Sequence, residues 1–242
     1  MANNLSNIIN TAFSHKTHFT KSELEKVLAE YYTDYKNDNT LNWRIHDLKN
    51  KGVIQNFARG VYALADKKEY QPEISNEAAE LFRRIREDLP YTTISIIDTK
   101  WFNEFMQLQV FKTNIIVEAD KIATSTVFNK LIDAGKKAFL NPDPEIIERY
   151  VSNTEDAIIV KSLITESPII EHQGIKIASL EKMLVDCIAD TRIYGAQSQE
   201  KDSIFKAAAE KYCINTSTLK RYARRRNKTE AINKLIQVHL ND

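Results

Sequence analysis

The feature that most restricts the fold is a change of hydrophobic period at Gly52. Before it, apolar residues recur at helical spacing in three consecutive segments, which predicts three amphipathic helices. The third segment contains Leu41, Ile45 and Leu48, and Gly52 follows where a left-handed cap would end a helix. After Gly52 the apolar residues alternate on both sides of a short turn, which predicts a β-hairpin. Three helices followed by a hairpin is the order of a winged helix-turn-helix, and we predict that fold for residues 1–68.

A second domain is predicted after a connecting segment. Residues 69–90 are interpreted as a linker and an amphipathic connecting helix that Pro90 stops. Helix and strand patterns then alternate over residues 91–242, with a buried strand at 157–163. Helices are expected near the end of the chain over 179–190, 203–212, 216–226 and 229–240. The predicted fold class is therefore α+β: an N-terminal winged helix-turn-helix domain followed by a mixed α/β domain with a helical C-terminal tail.

Glycine is scarce, and this excludes the common nucleotide-binding loops. The chain has 5 glycines in 242 residues. The two that lie closest in the sequence, Gly52 and Gly60, are still too far apart for GxGxxG or GxxxxGK[ST]. The two cysteines, Cys187 and Cys213, fit small core residues of a reduced cytoplasmic protein. The sequence contains no secretory signal, no metal-binding histidine pattern and no stretch long enough to span a bilayer. We expect a cytoplasmic protein with no cofactor, no metal site and no membrane partner.

Two carboxylates, Asp186 and Asp190, are spaced one helical turn apart in the segment 179–190. Such a pair could bind a metal or serve as acid and base. No nearby Gly-Ser, DxD or histidine completes a nucleotidyl-transfer or hydrolase site, so we interpret both as members of structural salt bridges. We predict that the protein is not an enzyme and has no catalytic residues.

Basic residues are concentrated at the two ends of the chain. Residues 1–70 carry 10 basic and 8 acidic side chains, residues 71–200 carry 14 and 21, and residues 201–242 carry 10 and 4. This asymmetry indicates polyanion contacts at the ends, although solvated helix faces also produce it.

The predicted third helix is the first candidate for DNA recognition, because that helix enters the major groove in a winged helix-turn-helix. Arg59 lies at the tip of the predicted hairpin, where a guanidinium can enter a minor groove, and lysines suit phosphate contacts. The predicted DNA-binding residues are Asn39, Thr40, Asn42, Trp43, Arg44, Lys49, Lys51 and Arg59. The alternative is a protein-interaction scaffold whose arginines are solvated.

The tail contains a second basic cluster, with the sequence KRYARRRNK at 220–228. This cluster follows a predicted helix, a turn and an N-cap at Thr216 or Ser217. That order of elements also resembles a helix-turn-helix. Lys220, Arg221, Arg224 and Arg225 are expected to line one broad helical face, which Arg226 and Lys228 extend. Three interpretations stay open for this face: a DNA surface, a docking surface for an acidic partner protein, or a solvated face.

Three segments together resemble the AbiEi-type antitoxins, also described as transcriptional regulators of viral defence. They are LNWRIHDLKNKGVIQNFARGVYAL at 41–64, GIKIASLEKMLVDCIAD at 174–190 and AEKYCINTSTLKRYARRR at 209–226. In that family the N-terminal domain binds inverted repeats in the promoter of its own operon. The C-terminal domain is needed to neutralise a co-encoded nucleotidyltransferase-like toxin.

The resemblance implies that Arg44, Arg59 and their polar neighbours contact double-stranded DNA, and that residues 220–228 serve in neutralisation. We therefore predict an autorepressor and antitoxin of an abortive-infection, phage-defence toxin-antitoxin operon. The alternative is a stand-alone winged-helix transcriptional regulator whose C-terminal domain senses a ligand or partner.

Overall fold

The computed structural model describes residues 2–16, 18–32, 38–65 and 69–240. The chain is a mixed α+β protein, which confirms the predicted α+β class. Its residues group into two compact units: Met1–Tyr70 with Ala208–Ser217, and Gln71–Ala207 with Thr218–Asp242. The division after Tyr70 falls close to the predicted domain boundary at residue 68. Residues 208–217, which the sequence analysis assigned to the second domain, belong to the first unit.

The N-terminal part of the first unit, over its described residues up to 65, contains three helices and a three-stranded sheet in the predicted order. The helices are α1 (Ala2–Phe13), α2 (Lys21–Tyr31) and α3 (Asp38–Asn50). The strands are β1 (Phe19–Thr20), β2 (Ile54–Ala58) and β3 (Val61–Leu64), arranged in the antiparallel order β1-β3-β2. Apolar faces of all three helices meet in one core whose buried members are Leu5, Ile9, Phe13, Phe19, Leu24, Leu28, Leu41, Ile45, Leu48, Val53 and Ile54.

Gly52 ends α3 as predicted, with a φ of +60°. The amide of Val53 donates to the carbonyl of Leu48 at 2.9 Å, so the chain leaves the helix through a left-handed cap. A Cβ on residue 52 would lie 1.3 Å from Sγ of Cys213, in the segment 208–217 of the same unit. Gly52 therefore serves both backbone conformation and close packing.

The second unit is built on a six-stranded sheet with the order β6-β7-β5-β4-β9-β8. The strands are β4 (Ile94–Asp98), β5 (Ile115–Ala119), β6 (Ala138–Leu140), β7 (Ile158–Ser162), β8 (Ile169–His172) and β9 (Ile175–Ala178). β4 pairs antiparallel with β5 and β8 with β9, whereas the other neighbours are parallel. Every residue of β4 and β5 is buried, as expected for central strands covered on both faces.

Eight α-helices alternate with or follow the strands of this sheet in the described part of the chain, and the last five of them follow its last strand. They are α4 (Asn76–Asp88), α5 (Thr124–Asp133), α6 (Pro144–Arg149), α7 (Leu180–Ala189), α8 (Gly195–Gln199), α9 (Lys201–Lys211), α10 (Thr216–Arg225) and α11 (Thr229–His239). The strand predicted at 157–163 and the four terminal helices are confirmed, while the short helix α8 was not predicted. No helix among the described residues is long and apolar enough to cross a membrane.

Candidate nucleic-acid interface

Helix α3 has one buried face and one exposed face. The buried side chains are Leu41, Ile45 and Leu48. The exposed face carries Asn42, Trp43, His46 and Lys49, and 58% of Trp43 is accessible to solvent. The side chain of Asn39, which the sequence analysis also assigned to DNA, lies outside the described residues, and Thr40 is half-buried. The helix therefore presents polar and aromatic groups to solvent at one turn after another.

Arg44 does not extend freely from α3. Its guanidinium carbon lies 4.0 Å from the ring centroid of Tyr32 and 4.9 Å from that of Trp43, so it stacks between two aromatic side chains. Its Nε is buried and has no hydrogen-bond partner in the described part of the chain. If the Arg44 guanidinium left the Tyr32 ring, about 0.5 to 2 kcal/mol of cation–π attraction would be lost. Arg44 therefore stays between the two rings in the free protein and supports the side chain of Trp43.

Arg59 occupies the turn between β2 and β3 and is exposed. Gly60, with a φ of +72°, allows this turn, and the strand pairing shifts register between Asn56 and Ala58. The carbonyl of Gly60 accepts a hydrogen bond of 3.0 Å from the amide of Lys21 at the start of α2. The backbone of the tip is thus bonded to the start of α2, while the Arg59 guanidinium has no hydrogen-bond or ion-pair partner among the described residues.

Lys21 also contacts the exposed face of α3. Its Nζ donates to Oδ1 of Asn42 at 2.9 Å. One residue therefore bonds the hairpin turn through its backbone and the exposed face of α3 through its side chain. This places the predicted wing and the predicted recognition helix side by side.

Two predicted phosphate contacts differ in their availability. Lys51 forms an ion pair of 2.7 Å with Asp47, one helical turn earlier. Lys49 is exposed and has no ion-pair partner within the described ranges. Lys49 can thus bind a phosphate without first breaking an ion pair, whereas Lys51 must share its charge with a carboxylate.

This surface also includes His46, Asn50 and Lys21, which were not among the predicted DNA-binding residues. The imidazole Nδ1 of His46 lies 2.8 Å from the Nδ2 of Asn50, on the exposed side of α3. The helical spacing of positions 39, 43, 46 and 50 was the available signal, since it marks the side opposite Leu41 and Leu48. No sequence signal could have identified the contact from Lys21, which lies 21 residues before Asn42.

The tail helix α10 presents a second basic surface. Leu219 and Tyr222 are fully buried, as predicted, and Lys220, Arg221 and Arg224 are exposed on the other side. Among the described residues these three cations have no acidic partner, whereas Arg225 pairs with Glu166. We call Lys220, Arg221 and Arg224 the α10 cationic surface.

The prediction that Arg226 extends this surface is wrong. Helix α10 ends at Arg225, and the left-handed Asn227 reverses the chain, with the amide of Lys228 donating to the carbonyl of Ala223 at 2.8 Å. Arg226 turns inward, where its Nε lies 3.1 Å from Oδ1 of Asp186 and only 15% of its side chain is exposed. Lys228 is half-buried in the same turn.

Asp186 belongs to a group of charges inside the second unit, which we call the buried charge network. Its members are Glu118, Lys161, Lys182, Asp186, Asp190, Tyr222 and Arg226. Lys182, Asp186 and Glu118 are completely buried. The three acidic and three basic members balance, which is the condition under which charges persist in a protein interior.

The contacts within this network join strands to helices. Lys182 Nζ donates to Asp186 and, at 3.1 Å, to Oε1 of Glu118 on β5, while Oε2 of Glu118 lies 2.9 Å away but out of line for a hydrogen bond. The Tyr222 hydroxyl donates to Oδ1 of Asp186 at 2.9 Å and accepts from Lys182 at 3.0 Å. Lys161 on β7 lies 3.3 Å from Asp190. Helix α10 is thereby bonded to α7 and to the centre of the sheet.

Burial and charge act in opposite directions on these groups. Burial alone would raise the pKa of Asp186, but Lys182, Lys161 and Arg226 outweigh it and lower that pKa below its ordinary value. Burial alone would lower the pKa of Lys182, but Asp186 and Glu118 raise it above its ordinary value. Both groups are therefore charged at neutral pH.

These contacts support the interpretation of Asp186 and Asp190 as salt-bridge residues. Each carboxylate faces cations, and no group of three or more metal-ligating side chains with suitable geometry occurs in the described part of the chain. A metal would have to displace Lys182 and Arg226 from Asp186.

Comparison with known proteins gives a family assignment. Residues 40–242 match the family DUF6577, which is described as a family of unknown function, so the chain belongs to that family. No curated protein matches the chain.

Proposed function

We propose that this member of the DUF6577 family is a DNA-binding repressor whose first unit binds double-stranded DNA as a winged helix-turn-helix. The observation that carries the proposal is the double contact of Lys21, which joins the Arg59 turn to the exposed face of α3. A helix that presents polar groups beside a hairpin with an arginine tip matches the major and minor grooves of one duplex.

Different residues have different roles in this proposal. Asn42 and His46 lie on the exposed face of α3 and are suited to base edges in the major groove. Lys49 and Lys21 carry the charge for phosphate contacts, and Arg59 enters the minor groove. Arg44 holds Trp43 in place and gains a DNA contact only if it leaves Tyr32.

The second part of the proposal is that the chain is an antitoxin of an abortive-infection operon. It rests on the resemblance to AbiEi-type antitoxins and on the α10 cationic surface, whose three cations have no acidic partner in the described residues. The partner is a co-encoded nucleotidyltransferase-like toxin, neutralised directly or indirectly, and the operator consists of inverted repeats in the promoter. The proposal includes no enzymatic activity.

DNA binding is tested by fluorescence anisotropy on the region upstream of the gene, at several salt concentrations. Arg59→Gln should weaken specific binding by about 1 to 3 kcal/mol, because the contact in the groove is lost. Lys26→Gln removes one exposed cation from α2 and is the matched control, which should bind like the wild type. Equal effects of the two substitutions would refute the groove assignment.

Neutralisation is tested by coexpression with the adjacent gene, scored by growth. The triple substitution of Lys220, Arg221 and Arg224 by glutamine should still repress the promoter but fail to rescue growth. A matched triple substitution of Arg83, Arg84 and Lys121 by glutamine removes three other exposed cations of the second unit and should rescue fully. If both triple variants rescue growth, the α10 cationic surface is not the antitoxin surface.

A further inference from the structure

A small pocket in the second unit is independent of both basic surfaces. It has a volume of about 250 Å³ and lies beside the sheet, between the start of β5 and the segment that leads into α8. The side chains that define its character are Lys112, Asn114, Ile147, Arg192, Ile193 and Gln197. This volume is just below the usual range of roughly 300 to 1,000 Å³ for ligand sites, so it suits a molecule of about ten non-hydrogen atoms.

The side-chain amide of Gln197 is the feature that marks this pocket as a ligand-binding site. Only 4% of the residue is exposed, yet its side-chain amide has no hydrogen-bond partner among the described residues. Oδ1 of Asn114, in the same wall, is also buried without a partner in that part of the chain. The Asn114 oxygen lacks a donor, which costs free energy, while the Gln197 side-chain N–H groups can donate to a hydrogen-bond acceptor in the pocket.

The charge of the pocket selects the kind of ligand. Lys112 and Arg192 contribute two cations, and no carboxylate occurs among the described residues that line the pocket. The nearest acidic group to Arg192 is Asp190, 3.8 Å from its Nε, and that carboxylate is already 3.3 Å from Lys161. Because 60% of the Arg192 side chain is exposed, its outer N–H groups remain available to an anion.

We propose that this pocket binds a small organic anion, whose carboxylate or phosphate head pairs with Arg192 and Lys112. The amide of Gln197 hydrogen-bonds the head, and the apolar body of the molecule packs on Ile147 and Ile193. The site does not depend on the proposed DNA and toxin functions, since every residue in it belongs to the second unit and lies outside α10.

Calorimetric titration of the full chain, without DNA, tests this site with three probes. Benzoate carries a carboxylate, phenyl phosphate carries a phosphate, and benzamide is a neutral molecule of the same shape as benzoate. One or both anions should bind saturably with a Kd in the millimolar range, and benzamide should bind at least roughly tenfold more weakly. The stronger anion identifies the head group.

Two substitutions locate the binding. Arg192→Gln should weaken anion binding roughly tenfold, and Arg84→Gln, which removes another exposed arginine of the same unit, should leave it unchanged. Gln197→Glu keeps the shape of the side chain, brings a negative charge into the pocket and should abolish binding. If that buried substitution prevents folding, the exposed Arg192 still decides the question.

Three results would overturn the inference. They are binding of benzamide as strong as that of the stronger anion, equal effects of Arg192→Gln and Arg84→Gln, and no saturable binding of either anion up to about 20 mM, where a millimolar site would be nearly filled.

Discussion

Asp186→Asn is the substitution that most directly tests the buried charge network. Asparagine has nearly the same volume as aspartate, so the change removes a charge without creating a cavity. In the native protein the Asp186 carboxylate accepts hydrogen bonds from Lys182 and from the Tyr222 hydroxyl, and it forms an ion pair with Arg226. It is completely buried. The substitution leaves three cations facing two carboxylates inside the second unit.

The expected loss of stability depends on the contacts that Lys182 and Arg226 keep after the substitution. Breaking a buried ion pair by removing one partner costs about 3 to 5 kcal/mol, because the other charge stays in the interior uncompensated. Lys182 keeps Glu118 within 3.1 Å, and Arg226 is near enough to the surface to reach water. We therefore expect the lower end, about 3 kcal/mol, which corresponds to a decrease of roughly 6 to 12 °C in the Tm of a domain of this size.

The assay uses the two tryptophans of the chain. Trp43 is exposed in the first unit and Trp101 is buried in the second, so Trp43→Phe leaves a fluorescence signal that reports on the second unit alone. Urea unfolding of Asp186→Asn in this background gives the free energy change, and Glu166→Gln, which breaks the exposed pair with Arg225, is the control. The control should change stability by no more than about 1 kcal/mol.

The pH dependence has a defined sign. The pKa of Asp186 is lowered in the folded protein. Its contribution to the free energy of unfolding is therefore complete at pH values above its ordinary pKa of 3.8, and it is lost as pH falls through the lower pKa of the folded protein. The difference between wild type and Asp186→Asn should therefore be constant near neutral pH and shrink below about pH 4. A loss of less than about 1 kcal/mol at pH 7, equal to that of the control, would refute the view that this network stabilises the second unit.

Other predictions concern the first unit and the absence of catalysis. Gly52→Ala should destabilise the protein by at least about 2 kcal/mol more than Gly60→Ala in thermal unfolding, since both have positive φ but only the former meets Cys213. A hydrogen bond from Lys16 holds the pKa of Glu23 at about 2, so Glu23→Gln should remove a stabilising contribution that the wild type loses as pH falls from 4.5 towards 2, measured by acid titration of helicity. Incubation with labelled nucleoside triphosphates, tRNA and divalent metal should show no turnover, and activity that Asp186→Asn abolishes would contradict a non-enzymatic function.

Local sequence determined the elements whose signals are periodic. The helical spacing of Leu41, Ile45 and Leu48 identified α3, and Gly52 identified where it ends. In the tail, Leu219 and Tyr222 identified the buried side of α10, and hence the side on which the cations are exposed. These signals suffice because a helix or strand must bury one face, and its period alone states which residues share that face.

Only the tertiary structure decided which polar residues are inside. Arg226 stands in a run of three arginines, yet it alone of the three pairs with Asp186, because the chain reverses at Asn227. Glu118 and Gln197 carry no local signal of burial, and their surroundings come from segments far away in the sequence. The free energy of burying a polar group depends on the charges and hydrogen-bond partners that meet it, and folding brings those partners together from positions that local spacing does not relate.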